Sequence, residues 1–321
     1  MLRNNKRINA SRGRRRLLNE PCVLMLKKLT LEDKSEAEQV DCFIPSTNHF
    51  VRILGSSVVE DDLLALFRNG GITSGHTTLM KDGTSFDDDG NLILLNLEGV
   101  AFGGEERRRK LAVTTGTKKL LAVRIIAPDA STTSTESQIS DAWFGTAGDA
   151  VNLKSQYEAC SYNTIQINPA NETIIKNDVT NIVSNGVYTV AISTNVIGAS
   201  DGTIRNAAVD AATTSLGSLP DQFDHVMLCL PSGTGTWIAY AYVNHWLSVY
   251  NNQWCNYVSG QMHGKYNVIF FHDSNIRNIE IGHNLNLAHS GETSTYDDQS
   301  GMVSIFQLHV CIATNLKTLN N

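Results

Sequence analysis

No apolar run in this 321-residue sequence reaches the roughly twenty residues that a bilayer-spanning helix needs. No apolar core of signal-peptide length follows the basic N-terminus (Lys6, Arg7, Arg12, Arg14, Arg15, Arg16). Either the protein is not secreted or the true start differs from Met1, and the second is favoured. No Cys-x-x-Cys pair occurs among the six cysteines at 22, 42, 160, 229, 255 and 311, which argues against a cysteine-built zinc site. Disulfides in a secreted protein stay open, with a pairing that spacing does not fix. Positive charge is not in surplus: the net charge of −6 argues against a nucleic-acid partner. With 41% hydrophobic and 18% charged residues the chain reads as globular, and its length suits two domains or one large domain with a pro-segment.

In chain order, residues 1–19 read as a solvated basic tail and 20–104 as a small unit of their own. The apolar runs 22–26 and 92–97 have strand length, 59–67 has helical spacing, and Asp87-Asp88-Asp89-Gly90 marks a turn. Residues 105–110 (Glu-Glu-Arg-Arg-Arg-Lys) are either an exposed linker or a processing site for a basic-specific protease. From Lys118 strands and helices alternate. Residues 120–127 suit a strand buried on both faces, and 136–157 read as one helix with Ile139, Trp143, Phe144, Val151 and Leu153 toward the core. Strands are expected at 165–167, 186–193 and 223–230. Asp201 is placed to cap a helix through about Leu216, and Pro220 to stop the segment after that helix. The Gly-, Trp- and Tyr-rich stretch 231–254 is a hairpin or loop packed by its aromatics, or the wall of a substrate cleft.

The stretch with the most chemistry is Glu280-Ile281-Gly282-His283, followed by Asn286, His289 and Met302. Glu280 and His283 lie one helical turn apart and share a side of that helix. Asn286 tolerates the left-handed conformation that ends a helix, which would fold His289 back beside His283. This is the second half of the metzincin pattern H-E-x-x-H-x-x-G-x-x-H, with a methionine-bearing turn downstream. The spacing suits zinc held by imidazoles with a fourth position open to water, whose proton the glutamate takes. The residue before Glu280 is Ile279, which cannot bind a metal, so a helix that merely carries histidines is the competing reading.

Four blocks in order make the likeness specific: 155–162, 224–231, 237–241 and 280–291 with 296–302. Over roughly Lys118 to Met302 the chain resembles the gametolysin family of zinc metallopeptidases, in its algal and diatom form, and the segment before Lys110 resembles the family's pro-region. The resemblance implies an α/β (α+β) metzincin-like catalytic domain over 111–302. A mixed twisted sheet and a zinc-binding helix would form it, and a small pro-domain would precede it. It further implies a secreted zymogen, extracellular or of the cell wall, that hydrolyses protein or glycoprotein substrates with Zn2+. In that reading His263, His283 and His289 hold zinc, Glu280 is the general base and Met302 floors the site. No membrane span is expected, and oligomeric state is not legible.

The departures are informative. His263 is separated from Glu280 by residues 264–279; without them the sequence reads Gln-Met-His-Glu-Ile-Gly-His-Asn-Leu-Asn-Leu-Ala-His, an unbroken motif. Gly264-Lys265-Tyr266 can be encoded GGT-AAG-TAT, which contains the intron start GTAAGT, and Ile279-Glu280 can supply a terminal TAG. Residues 264–279 are therefore expected to be translated intron. Residues 303–321, without family likeness, follow a second such junction at Val303-Ser304. Genuine insertion is the alternative, as is a catalytically impaired metzincin-like protein with a binding or structural role. His49, His76, His225, His245 and His309 lack ligand spacing to the pair; His272 is kept as an alternative ligand.

Overall fold

The computed structural model describes residues 17–33, 35–81, 84–103, 115–150, 152–255 and 280–285. Its N-terminal part is mostly strand. Three consecutive antiparallel strands, β1 (Cys22–Leu31), β2 (Glu36–Ile44) and β3 (His49–Leu54), lead into α1 (Ser57–Arg68), whose first turn is capped by the Ser56 hydroxyl. Short strands β4 (Thr78–Met80), β5 (Ser85–Phe86), β6 (Leu92–Ile93) and β7 (Ala101–Gly103) come next. Only the first two residues of the apolar run 92–97 pair as strand, and Leu95 is exposed.

The next part alternates. It comprises β8 (Gly116–Ile126), α2 (Glu136–Phe144), α3 (Leu153–Cys160), β9 (Ile165–Pro169), β10 (Glu172–Lys176), β11 (Val179–Val183) and β12 (Val187–Ala191). Then come α4 (Asp201–Leu216), α5 (Leu219–Gln222), β13 (His225–Leu230), β14 (Trp237–Tyr242) and β15 (Leu247–Asn251). A last helix, α6, covers residues 280–284.

The single helix expected over 136–157 is two. A Thr135/Gln138 capping box starts α2, and Gly145 ends it in the left-handed conformation at φ 72°. A Cβ there would lie 2.4 Å from the Asn152 amide nitrogen and 2.7 Å from the Asp149 carbonyl oxygen, so only glycine fits. Asn152 then caps α3. The cap of α4 is Ser200, with Asp201 in its first turn, and Pro220 sits at the start of α5 instead of ending an element. The hairpin β10–β11, absent from the sequence reading, turns through Asn177 and Asp178, both at positive φ.

Thirteen of the described strands form one mixed sheet. Strands β9 and β12 pair in parallel with successive parts of β8; β13 is parallel to β8 on its other side, and β15 is parallel to β13. Strand β14 then runs antiparallel to β15, and β1 and β2 extend the sheet beyond it. One core packs Ile204, Ala208, Val209 and Leu216 of α4 on one face of the sheet. A second packs Ile139 and Trp143 of α2, Tyr157 of α3, and Ile281 and Leu285 together. A third lies under β1, β2 and α1.

Candidate active site

The site is built on α6, whose Leu285 amide donates to the Ile281 carbonyl at 2.9 Å. Ile281 and Leu285 are four apart and enter the same core as α2 and α3, which fixes the rotation of the helix. Asn284 fixes its position along the sheet: its amide nitrogen donates to the Tyr242 carbonyl at 3.0 Å and the Leu247 carbonyl at 2.9 Å. These carbonyls end β14 and begin β15. The Asn244 amide, in the turn between the two strands, donates to the His283 carbonyl at 3.1 Å. Stretch 231–254 is thus an aromatic-packed hairpin that also carries α6.

Glu280 and His283 are both enclosed, with 0% and 2% of their surfaces exposed. The Thr30 hydroxyl of β1 donates to Glu280 Oε1 at 3.2 Å, across 250 positions of sequence. Glu280 Oε2 is buried and has no hydrogen-bond partner among the described residues. Burial, and after it the nearby Glu36, push the Glu280 carboxyl well above the ordinary carboxylate range, against the Thr30 hydrogen bond and Lys27. Burial also raises Glu36 to about 7, with Lys28 opposing. A carboxyl shifted in this direction holds its proton more tightly than an exposed one; a cation beside it would work the other way.

Of the expected site residues the described structure contains Glu280 and His283, on one turn of one helix. His263, His289, Met302 and the alternative ligand His272 lie outside the described residues, as does the basic run 105–110. Among the described residues no group of three or more His, Cys, Asp or Glu is arranged to hold a metal. The pair nevertheless fits a metal site in part: an imidazole is a zinc ligand, and the orphaned Glu280 oxygen is an acceptor with no proton donor of its own. Sequence reasoning did not find Thr30 or Glu36 near Glu280, and nothing in the spacing of residues so far apart signals them.

The other described histidines belong to no metal-binding group among the described residues. His49 pairs with Asp210 at 2.9 Å and His76 with Asn244 at 2.8 Å. His225 and His245 each carry a buried Nδ1 with no partner among the described residues, so they are core histidines without full satisfaction. No helix of the described residues is long and apolar enough to cross a membrane. The family model for gametolysin peptidase M11 matches residues 123–315, a span that takes in most of the sheet from β8 onward and all of α6. No curated protein and no solved structure matches the chain.

Proposed function

The chain belongs to the gametolysin peptidase M11 family, a family of metallopeptidases, and on that premise we propose that it is a zinc-dependent endopeptidase acting on extracellular or cell-wall proteins. The observation that carries this reading is the enclosure of Glu280 and His283 on one turn of α6, inside the family match and beside the antiparallel strand β14.

In this reading His263, His283 and His289 would hold the ion, and Met302 would serve as the methionine of the turn that follows them in sequence. Zinc would polarise the scissile carbonyl and acidify the attacking water. Glu280 accepts the proton of that water and returns it to the leaving amine, a role that requires its carboxyl to be free of Thr30 and ionised. The apolar neighbours Ile281 and Leu285 keep α6 seated while this happens, so the base is held by the core and not by a loop.

The test uses two forms of the gene product, the chain as written and a version lacking 264–279. The contiguous version is expected to bind one zinc tightly and cleave protein substrates, with activity abolished by a chelator. Glu280→Gln in that version should retain zinc and lose about 10²- to 10⁴-fold in rate. Equal activity of the Gln variant would remove Glu280 from its role. The insertion between His263 and Glu280 favours a second reading for the chain as written, an impaired relative with a binding role. Sequencing the transcript across codons 264–279 decides which form the gene makes.

A further inference from the structure

The hairpin of β10 and β11 is a two-stranded sheet of its own, apart from the large one. Its inner face is anchored. Val183 is buried in the core that holds α4, Ile174 packs against that core, and Asn181 donates to the Ser215 carbonyl at 3.0 Å. The outer face consists of the alternate positions Thr173 and Ile175, paired opposite Ile182 and Thr180. Ile175 is 72% exposed and Ile182 64%, and Val179 beside the turn is 57% exposed. Four β-branched side chains thus form a ladder on a sheet that pairs with no third strand among the described residues. Such a surface invites association with another chain unless something covers it.

Asn171, one residue before β10, carries the chemistry for a cover. Asn171-Glu172-Thr173 is an N-x-[ST] acceptor sequence without proline at its middle position, and Asn171 and Thr173 are both exposed. Asn171, Thr173 and Ile175 are alternate positions, so the acceptor leads directly onto the ladder. The carboxamide is already oriented: its oxygen accepts from the Asn185 amide at 2.7 Å, and its nitrogen donates to the Pro169 carbonyl at 3.3 Å. The second hydrogen of that nitrogen has no partner among the described residues. A sugar takes the place of one hydrogen only, so both bonds survive its attachment. The two described disulfides, Cys22–Cys42 and Cys229–Cys255, suit the oxidising compartments in which such sugars are added.

We propose that Asn171 is an N-glycosylation site whose oligosaccharide covers the outer face of the β10–β11 hairpin. The reaction is a glycosyl transfer from a lipid-pyrophosphate-linked oligosaccharide. Asn171 Nδ2 forms a bond to the anomeric carbon and loses one proton. The bond from that carbon to the pyrophosphate oxygen breaks, and the lipid pyrophosphate leaves with the electron pair. The C–H faces of the first sugar rings pack on Ile175 and Ile182, and the hydroxyls face water. The bulk of the glycan also keeps a foreign strand from adding to the hairpin. This rests on the extracellular part of the proposed function and is independent of the zinc site.

The test uses the full chain, led into the secretory pathway of eukaryotic cells by an added leader. Four forms are compared: unchanged, Thr173→Ser, Thr173→Ala, and Thr173→Ala with Ile175→Thr and Ile182→Thr. Peptide mapping by mass spectrometry, before and after enzymatic release of N-glycans, reads position 171 in secreted and cell-retained protein alike. It also separates Asn171 from the other acceptor sequence, Asn9-Ala10-Ser11, which lies outside the described residues. The unchanged and Thr173→Ser forms should carry a releasable glycan at Asn171, and Thr173→Ala should carry none there. In sedimentation velocity, Thr173→Ala should shift to larger species as concentration rises, and the added Ile175→Thr and Ile182→Thr should remove the shift. A bare Asn171 in the unchanged form overturns the site. A Thr173→Ala form as monodisperse as the unchanged one overturns the cover. Casein cleavage by the unchanged form without 264–279 is the separate readout. If Asn171 is glycosylated and casein stays intact, the site stands and the peptidase reading falls.

Discussion

Two histidines held in apolar surroundings make the fold sensitive to acid. Burial pushes His225 down to about 4, with Lys118 adding to the effect and Asp224 opposing it. His245, half-buried among Phe43, Phe50, Tyr242 and Trp246, is lowered to about 3, again by burial first and by His225 second. In the unfolded chain both titrate near 6.5. Below that pH the unfolded state binds protons that the native state refuses, so stability is complete above about 6.5 and falls as pH drops toward the folded values. For His225, whose ring is almost wholly enclosed, the loss between pH 6.5 and 5 is about 2 kcal/mol. His225→Gln should flatten that part of the curve, read from urea midpoints at pH 7 and 5; an unchanged slope would clear His225 of responsibility. Asp201 extends the effect downward. Burial opposes its ionisation, but Lys27 and Arg205 hold it at about 2, so its contribution is present above about 3.8 and is lost as pH falls through 2. The residue scale is also where the sequence is least legible. The i, i+3 pair Glu280 and His283 can be read from spacing because a helix makes it local. The partners of that pair cannot, since Thr30 reaches it through a strand that only the complete sheet brings alongside.

At the scale of elements, local chemistry decides most boundaries. The apolar run of β8, the apolar periodicity of α1 and the polar start of α4 are all visible in the sequence, and each forms the expected element. One exception is the helix expected over 136–157, where apolar residues continue on both sides of Gly145 and hide the break. Gly145→Ala tests that break: the left-handed φ and the 2.7 Å approach to the Asp149 carbonyl leave no room to relax. A loss of about 1–3 kcal/mol in thermal or urea unfolding is expected, with α2 and α3 both affected. A neutral outcome would mean that the two helices can merge. Asn284 makes the complementary point for α6, a helix too short to hold itself. Asn284→Ala forfeits two bonds and leaves the carbonyls of Tyr242 and Leu247 buried without those donors. About 1–3 kcal/mol should be lost, and in an active form the rate should fall more than KM rises, because it is the base that is displaced. Equal loss in both parameters would place the effect elsewhere.

At the scale of the molecule, the leading strands and the family-matched strands share one sheet, and this makes a prediction about cooperativity. Strand β1 is bonded to β2 along one edge and to β14 along the other, so it cannot unfold without exposing backbone on both neighbours. The buried contacts of Lys27 with Asp201 and of Asp41 with Arg205 and Tyr242 cross the same boundary. The two described disulfides lie on opposite sides of it and close loops of similar size, with sequence separations of 20 and 26. By the chain-entropy argument each constrains the unfolded chain by about 3 kcal/mol. If the sheet melts as one body, the intact chain shows a single calorimetric transition. Replacing Cys22 and Cys42 by Ser then lowers the same midpoint that replacing Cys229 and Cys255 lowers. If the leading segment is instead an independent unit, two transitions appear and each replacement moves only its own. Cutting between residues 105 and 110 separates the cases further. In a shared sheet the cut leaves both parts bound and the transition becomes concentration-dependent, because unfolding now releases a second chain. A transition that stays single, shifts with either disulfide and acquires a concentration dependence on cleavage is the result that the pairing of β1 with β14 requires.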